Sequence, residues 1–420
     1  MNSMVEERRA PSLRRVLNVK LFSVLLILSP MVDVATGALL LSGYSLSLSV
    51  LFKGGILALC LLRLCGGIPK RWAPWLAVGG LLTALSLLIP CIGFDFHVLL
   101  HNASLVSKCY VAFAVIAVYH LFLLEDRRLT CSWVRRIFSF YCWFFPLSII
   151  VPAILGVGFS TYVYGVGFKG FYFAGNDISI VLAVLTAISV DTFVRKCTLS
   201  HAICALAGLL SLLLLSTKTC LLMAVVIVAV YLFRSRGIGF KIGAAAVIAV
   251  LGLIVYYVFQ DEIRSLYDSL LYKYHWYQEQ GGTVISFLSS GRDHKFMEAF
   301  RKSYREEPLR VLLFGTGAWQ QLNLPMYHGL IEMDFFDLLI WHGVLLTAYI
   351  TAGCTELYRQ VRRQTGFVLK FSWWMMTAFG FWVGHVLFSP MANLLLALLY
   401  IAMMCEKAGK ASQGGEGRKQ

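Results

Sequence analysis

The chain has 420 residues, of which 59% are hydrophobic and only 14% are charged. This composition excludes a soluble protein with an ordinary polar surface. The net charge of +15 does not by itself indicate a nucleic-acid partner, because the basic residues of a membrane protein are first distributed between the two sides of the bilayer. We therefore expect an all-α, polytopic membrane protein whose partners include the lipid bilayer and no nucleic acid.

The sequence can be divided into about twelve apolar runs, each close to the roughly 20 residues that a membrane-spanning helix needs. They fall near residues 21–41, 45–65, 73–92, 104–124, 137–157, 178–194, 198–216, 219–233, 241–259, 335–353, 369–388 and 391–405. The first nine lie within residues 1–259 and the last three within residues 335–405. A long polar loop at 260–334 separates the two groups, and a polar tail follows at 406–420.

Basic residues orient the predicted helices, because loops that stay in the cytoplasm are rich in Lys and Arg. With both termini in the cytoplasm, most of the 37 Lys and Arg residues fall on that side, including those of the predicted loops at 125–136 and 354–368. The loop at 158–177 and the long interval at 260–334 then lie outside the cytoplasm. The large outer loop is expected to contain short helices near 262–278 and 295–306.

The eleven cysteines are scattered singly, and nearly all lie in or beside apolar runs. Their spacing offers no CxxC pair of the kind that binds metals. We interpret them as small packing residues, so neither a disulfide framework nor a metal site is expected.

Charged residues inside the predicted helices are costly and need a partner. Asp33, Lys53 and Lys108 are expected to form an internal cluster, in which an acid between two lysines leaves one positive charge. Pairing between helices explains such a cluster, and so does contact with an anionic lipid headgroup. Asp191 lies near a helix end and is expected to reach water.

Cations in the outer loops suit a phosphorylated substrate. Arg292, His294 and Lys295 lie within the segment SGRDHKF, and an arginine can contact phosphoryl oxygens in a bidentate manner. The alternative is a solvated helix start that Asp293 caps. Lys169 is the single cation of the loop at 158–177, which also reads as a flexible loop with aromatic anchors. The Gly-Thr-Gly sequence at 315–317 is explained by a tight turn.

Three carboxylates occur in the segment IEMDFFDLLIWHG, at the predicted outer end of an apolar helix. We expect Glu332 and Asp334 near the water boundary and Asp337 about one turn deeper. Burial makes a carboxyl group a competent base or acid. Capping of the helix N-terminus is the alternative, and it accounts for Asp334 more readily than for all three.

These features resemble the polysaccharide polymerase and O-antigen ligase superfamily of bacterial envelopes. The resemblance lies in the helix number, in a large outer loop before the last three helices, and in a Gly-Arg pair followed by a helix. It also includes a Pro-x6-Gly-x-Gly pattern at 308–317, a polar helix entry that ends in Gly343, and the segment FYFAGNDIS at 171–179.

The resemblance implies metal-independent glycosyl transfer, without a cofactor, at the outer face of a bacterial cytoplasmic membrane. Undecaprenyl diphosphate is the implied leaving group, and the growing glycan passes to a sugar hydroxyl of the next lipid-linked repeat with inversion at the anomeric carbon. The implied partners are undecaprenyl-diphosphate-linked oligosaccharide, a chain-length regulator and a flippase. The product is O-antigen or a capsular or other exopolysaccharide.

The resemblance and the chemistry of the outer loops together give the candidate site residues. Those expected to bind the pyrophosphate or substrate are Arg292, Lys169, His294, Lys295 and Arg310.

The implied catalytic residues are Glu332, His328 and Asp334. Ligases carry His-Asn about ten residues before the glycine of this helix, and counting back from Gly343 places Glu332 there. The sequence Glu-x-Asp-Phe-Phe-Asp therefore indicates the polymerase branch, with Glu332 as the base and His328 as its competitor.

Two other functions stay open at this point. One is an O-antigen ligase that transfers glycan to lipid A-core. The other is a flippase or another transporter of lipid-linked oligosaccharide, for which about twelve helices is also a familiar number; transporters often contain internal repeats and bind at the midplane. No repeat is evident here, and the polar residues concentrate in one outer loop, which favours the enzyme.

Overall fold

The computed structural model describes residues 17–68, 72–92, 96–161, 167–234, 237, 242, 260–279, 281–318 and 331–416. Within these ranges the chain is helical apart from turns, loops and one isolated bridge between Ser160 and Phe168. The expectation of an all-α protein is confirmed for the described residues.

We number the helices in chain order. They are α1 (Val19–Leu41), α2 (Leu48–Cys65), α3 (Ala73–Leu88), α4 (Phe96–Glu125), α5 (Arg127–Leu155), α6 (Gly175–Lys196), α7 (Leu199–Leu215), α8 (Lys218–Arg234), α9 (Gln260–Glu279), α10 (Val284–Leu288), α11 (Arg292–Glu306), α12 (Pro308–Phe314), α13 (Asp334–Val361), α14 (Phe367–Trp382) and α15 (Pro390–Glu416).

Eight of the described helices are long and apolar enough to cross a membrane: α1 to α6, α13 and α15. Helices α7, α8 and α14 coincide with further predicted runs but contain only 17, 17 and 16 residues. The predicted run at 241–259 lies outside the described residues. Every other predicted run coincides with a helix, as expected for a polytopic membrane protein.

The chain divides into two compact units. The first comprises Met1–Thr36, Leu46–Phe140 and Lys295–Gln420, and within it α4 packs against α15 while α13 packs against α3 and α12. The second comprises Gly37–Ser45 and Tyr141–His294, and its centre is α6, which packs against α7 and α8.

The predicted loop at 125–136 is mostly helical, because α5 begins at Arg127. The Asp126 carboxylate accepts a hydrogen bond from the Leu129 amide at 2.9 Å, which satisfies one of the free N–H groups at the start of this helix. A polar, basic sequence can continue a helix beyond the apolar run, so hydropathy placed this start too late.

Two predictions about charges in helices have opposite outcomes. Asp33 and Lys53, two members of the expected cluster with Lys108, form an ion pair, with 2.6 Å between carboxylate and ammonium. Asp191 does not reach water: it is 6% exposed, it pairs with Arg195 at 2.7 Å, and it accepts a hydrogen bond from the Tyr231 hydroxyl at 3.2 Å. Helix α8 supplies that tyrosine and helps to cover the carboxylate, so the prediction for Asp191 was wrong.

The cysteines include one pair that the sequence analysis did not expect. Cys131 of α5 and Cys405 of α15 form a disulfide, with their Cα atoms 5.6 Å apart. The sequence separation of 274 residues explains why no local spacing signalled it. The expectation that every cysteine serves only as a packing residue was therefore wrong for this pair.

Helix α13 is broken at Gly343, where φ is 73° and ψ is 176°. This conformation is essentially restricted to glycine. Space imposes the same restriction, because a Cβ atom at this position would lie 2.3 Å from the Leu313 carbonyl oxygen. The predicted continuous helix over 335–353 was therefore wrong at this point.

The two limbs of α13, residues 334–342 and 344–361, fold towards each other at the break. Phe335 of the first limb and Thr355 of the second would be about 30 Å apart along a straight helix. Both line one largely apolar groove of about 610 Å³. The first limb thus lies beside the second rather than extending away from it.

Candidate functional site

The Gly-Thr-Gly turn caps the break in α13. The Thr316 amide donates to the Ile340 carbonyl at 2.8 Å, and the Gly317 amide donates to the Trp341 carbonyl at 3.0 Å. These carbonyls end the first limb of α13 and would otherwise lack the partners of a continuous helix. Backbone groups at membrane depth need partners within the protein. The predicted tight turn at 315–317 therefore stabilises a broken helix.

Asn102 of α4 holds this turn in place. Its side chain is buried, and its Oδ1 atom accepts a hydrogen bond from the Ala318 amide at 2.9 Å. A Cβ atom on Gly317 would lie 2.8 Å from Nδ2 of the same asparagine. The close approach of Asn102 explains why the second residue of the pair of glycines in the turn has no side chain. The hydrogen bond from Ala318 links the break in α13 to α4.

Asp334, the first residue of α13, holds the loop between α14 and α15. Its Oδ2 atom accepts hydrogen bonds from the amides of Val386 at 2.6 Å and Leu387 at 2.8 Å, and its Oδ1 atom lies 3.2 Å from Nδ1 of His385. Only 4% of the residue is exposed. Three consecutive loop residues are therefore attached to one carboxylate, which is not at the water boundary where the sequence analysis placed it.

Asp337 lies one turn further along α13 and is fully buried. Its two oxygens accept hydrogen bonds from the amides of Ile331 and Met333, each at 3.0 Å. Its Oδ2 atom is also 3.9 Å from His385 Nδ1. The carboxylates of Asp334 and Asp337 therefore share one imidazole, and we call these three residues the acid–imidazole cluster.

His385 is the member of this cluster that the sequence analysis missed. The predicted helix over 369–388 included it, whereas α14 ends at Trp382 and the next seven residues are not helical. The segment is apolar enough to resemble a helix, and its amides find a side-chain partner in Asp334 instead. A histidine inside the predicted apolar run, four residues before Ser389-Pro390, was the available signal.

The other two predicted catalytic residues have different outcomes. Glu332 is half-buried and adopts the left-handed backbone conformation, with a φ of 68°, between the two residues whose amides bind Asp337. This conformation is uncommon for a residue with a side chain. His328 lies outside the described residues.

The start of α11 is a polar cluster in the second unit. Asp293 accepts hydrogen bonds from the hydroxyls of Ser286 at 2.6 Å and Ser289 at 2.8 Å. Partial burial alone would raise the pKa of the Asp293 carboxyl, but the hydrogen bonds from these serines outweigh it and lower that pKa below its usual value. The Ser286 hydroxyl is also 3.0 Å from His294 Nε2.

The predicted cations fall in both units. Arg292 is buried, with 7% exposed, and Nη1 lies 3.4 Å from the Ser289 carbonyl, so it is not part of a solvated helix start. Like Lys169 and His294, it belongs to the second unit, whereas Lys295 and Arg310 belong to the first.

Two of these cations have defined partners near the helix ends. Arg310 forms an ion pair with Glu307 in the first turn of α12. Lys169 donates to the Phe173 carbonyl at 2.8 Å, and partial burial lowers the pKa of its ammonium group. Its ammonium lies 5.9 Å from the ring centres of Phe159 and Phe173, within the range of a cation–π contact.

The acid–imidazole cluster combines an imidazole, which can accept a proton, with two carboxylates that can hold the imidazole in place. A neutral imidazole that donates from Nδ1 carries its lone pair on Nε2. Among the described residues, no group of His, Cys, Asp and Glu side chains has an arrangement suited to a metal ion.

No model of a known protein family matches the chain, and no curated protein matches it.

Proposed function

We propose that the protein polymerises undecaprenyl-diphosphate-linked oligosaccharide repeats into O-antigen or a capsular or other exopolysaccharide. In this proposal about twelve helices cross a bacterial cytoplasmic membrane, both termini are cytoplasmic, and the loop at 260–334 is outside. The acid–imidazole cluster is the observation that carries the proposal. Transfer to a hydroxyl group needs a proton acceptor, and the two carboxylates of the cluster lie on the helix that the family resemblance marks as catalytic.

The chemistry is a single displacement. The bond between the anomeric carbon and the diphosphate oxygen breaks, and its electron pair leaves with the diphosphate. The acceptor hydroxyl oxygen bonds to the same carbon from the opposite side, and its proton passes to a base of the protein. Cations near the diphosphate favour its departure because negative charge develops there, and Arg292 is the first of the cations that the sequence suggests for this role.

The test uses purified protein in liposomes with undecaprenyl-diphosphate-linked oligosaccharide from cells that lack the gene. A ladder of products and release of undecaprenyl diphosphate are expected. In those cells, single lipid-linked repeats should be displayed outside the membrane. Their accumulation on the inner face instead would indicate a transporter, and glycan found only on lipid A-core would indicate a ligase.

The broken helix α13 is the observation that favours the transporter as a second candidate, since transporters often bind substrates or ions at discontinuous helices. In such transporters, backbone carbonyls of the unwound helix segment coordinate the coupling ion. In this chain the carbonyls of Ile340 and Trp341 at the break already accept hydrogen bonds from the Gly-Thr-Gly turn. The polymerase is therefore the better-supported function.

A further inference from the structure

We propose that His385 is the residue that accepts the proton of the acceptor hydroxyl, and that Asp334 and Asp337 position it. The inference rests on the proposed glycosyl transfer and changes the predicted base from Glu332 to a residue of the loop between α14 and α15.

The first argument is the orientation of the imidazole. Asp334 binds the ring at Nδ1 and the backbone amides of the two following residues, Val386 and Leu387. This three-point attachment fixes both the loop backbone and the ring edge that faces the carboxylate. A carboxylate only accepts hydrogen bonds, so Nδ1 is the donor and the lone pair of the neutral ring lies on Nε2.

The second argument is how the carboxylates are used. Asp334 binds two amides and the imidazole, and Asp337 binds two amides and is fully buried. Protonation of either acid would remove the negative charge that strengthens these hydrogen bonds to the backbone. The His385 side chain is 15% exposed, compared with 5% and 0% for the side chains of Asp334 and Asp337, while its Nε2 atom is itself buried.

The third argument is the aromatic wall behind the ring. The rings of Phe388 and His385 are nearly perpendicular, with their centroids 5.8 Å apart, and Phe388 in turn contacts Trp341 at 5.0 Å. Trp341 is fully buried at the end of the first limb of α13. The imidazole is thus held between a carboxylate and a ring, and a positioned group of this kind is what general-base catalysis requires.

In the proposed step, the oxygen–hydrogen bond of the acceptor hydroxyl breaks as the new carbon–oxygen bond forms. The proton moves to Nε2, and the resulting imidazolium is stabilised by the two nearby carboxylates. The electron pair of the broken glycosyl bond leaves with the diphosphate. After each transfer the proton returns to solvent, so no other reactant is needed.

The experiment compares His385→Asn with wild-type protein in the liposome assay. The Asn amide can still donate to Asp334 in place of Nδ1 but provides no base in place of Nε2. We expect at least about a 100-fold fall in kcat, with an unchanged KM for lipid-linked repeats and an unchanged unfolding midpoint. In His385→Ala, added imidazole should restore part of the activity. His201→Asn on α7, whose imidazole contacts Thr198, is the matched control and should behave as wild type.

Each outcome of this experiment supports or overturns the assignment of His385 as the base. Near-normal polymerisation by His385→Asn, together with an inactive Glu332→Gln, would return the role of base to Glu332. Unfolding of both His385 variants, or loss of activity without rescue by imidazole, would assign His385 to structure and overturn the inference. If the wild-type protein forms no polymer at all, the proposed function is wrong. This result comes from the wild-type protein alone and is therefore distinct from a failure of the inference about His385.

Discussion

Replacing Gly343 with alanine should destabilise the protein strongly, because the break in α13 depends on this residue. The backbone there has a φ of 73° and a ψ of 176°, a region that costs about 1–3 kcal/mol for a residue with a Cβ atom. The added methyl group would also lie 2.3 Å from the Leu313 carbonyl oxygen and 2.4 Å from its carbon. Such overpacking costs about 1–3 kcal/mol more.

The two terms together predict a loss of about 2–6 kcal/mol in the free energy of unfolding. The assay is thermal or denaturant unfolding of the purified protein in one detergent. The matched control is Gly54→Ala in α2, where a new Cβ atom meets nothing within 4 Å, and where alanine is the better helix former. We expect the control to be neutral or slightly stabilised. Equal unfolding midpoints for both variants would refute the reasoning about the break.

Four other predictions follow from the structure and the proposed function. Arg292→Ala should slow polymerisation about 100-fold at unchanged protein level, and Arg292→Lys should recover little of it; normal activity would remove the phosphate role. Asn102→Ala should cost about 1–3 kcal/mol on unfolding, because it leaves a buried amide without its acceptor; an unchanged midpoint would contradict this. The Asp293 carboxyl has a lowered pKa in the folded state, so its stabilising effect should be present above about pH 4 and be lost as pH falls further; the difference in midpoint between wild type and Asp293→Asn should shrink on acidification, and a constant difference would count against it. Reporter fusions at Lys407 and Tyr277 should report the cytoplasm and the outside respectively, and a cytoplasmic Tyr277 would remove the proposed active face.

The sequence predicted the helices well because each needs a long apolar run, and such a run is visible locally. It also predicted the Asp33–Lys53 pair, since two charges in neighbouring spans have few other partners. It missed the end of α14 because hydropathy cannot distinguish a helix from an apolar loop. The partner that makes the loop possible, Asp334, lies 51 positions before His385.

The break in α13 was missed for a similar reason. Apart from His342, the residues next to Gly343 are apolar, and nothing in their pattern indicates a change of direction. The cause lies in distant backbone groups, since the Gly-Thr-Gly turn supplies the hydrogen bonds that a helix loses there. The carboxylates Asp334 and Asp337 were found from sequence, but the contacts that they make depend on how the first limb folds.

The disulfide between Cys131 and Cys405 makes a covalent ring of most of the chain, because its two ends are 274 positions apart. A protease that cuts once inside this ring opens it without separating the pieces, so the nicked protein should keep its full mass on a gel until a reductant is added. The ring can close only after α15 has been synthesised and has reached α5. The proposed topology places both cysteines on the cytoplasmic side, where thiols are kept reduced, so the bond should form on oxidation of the purified protein and not during synthesis.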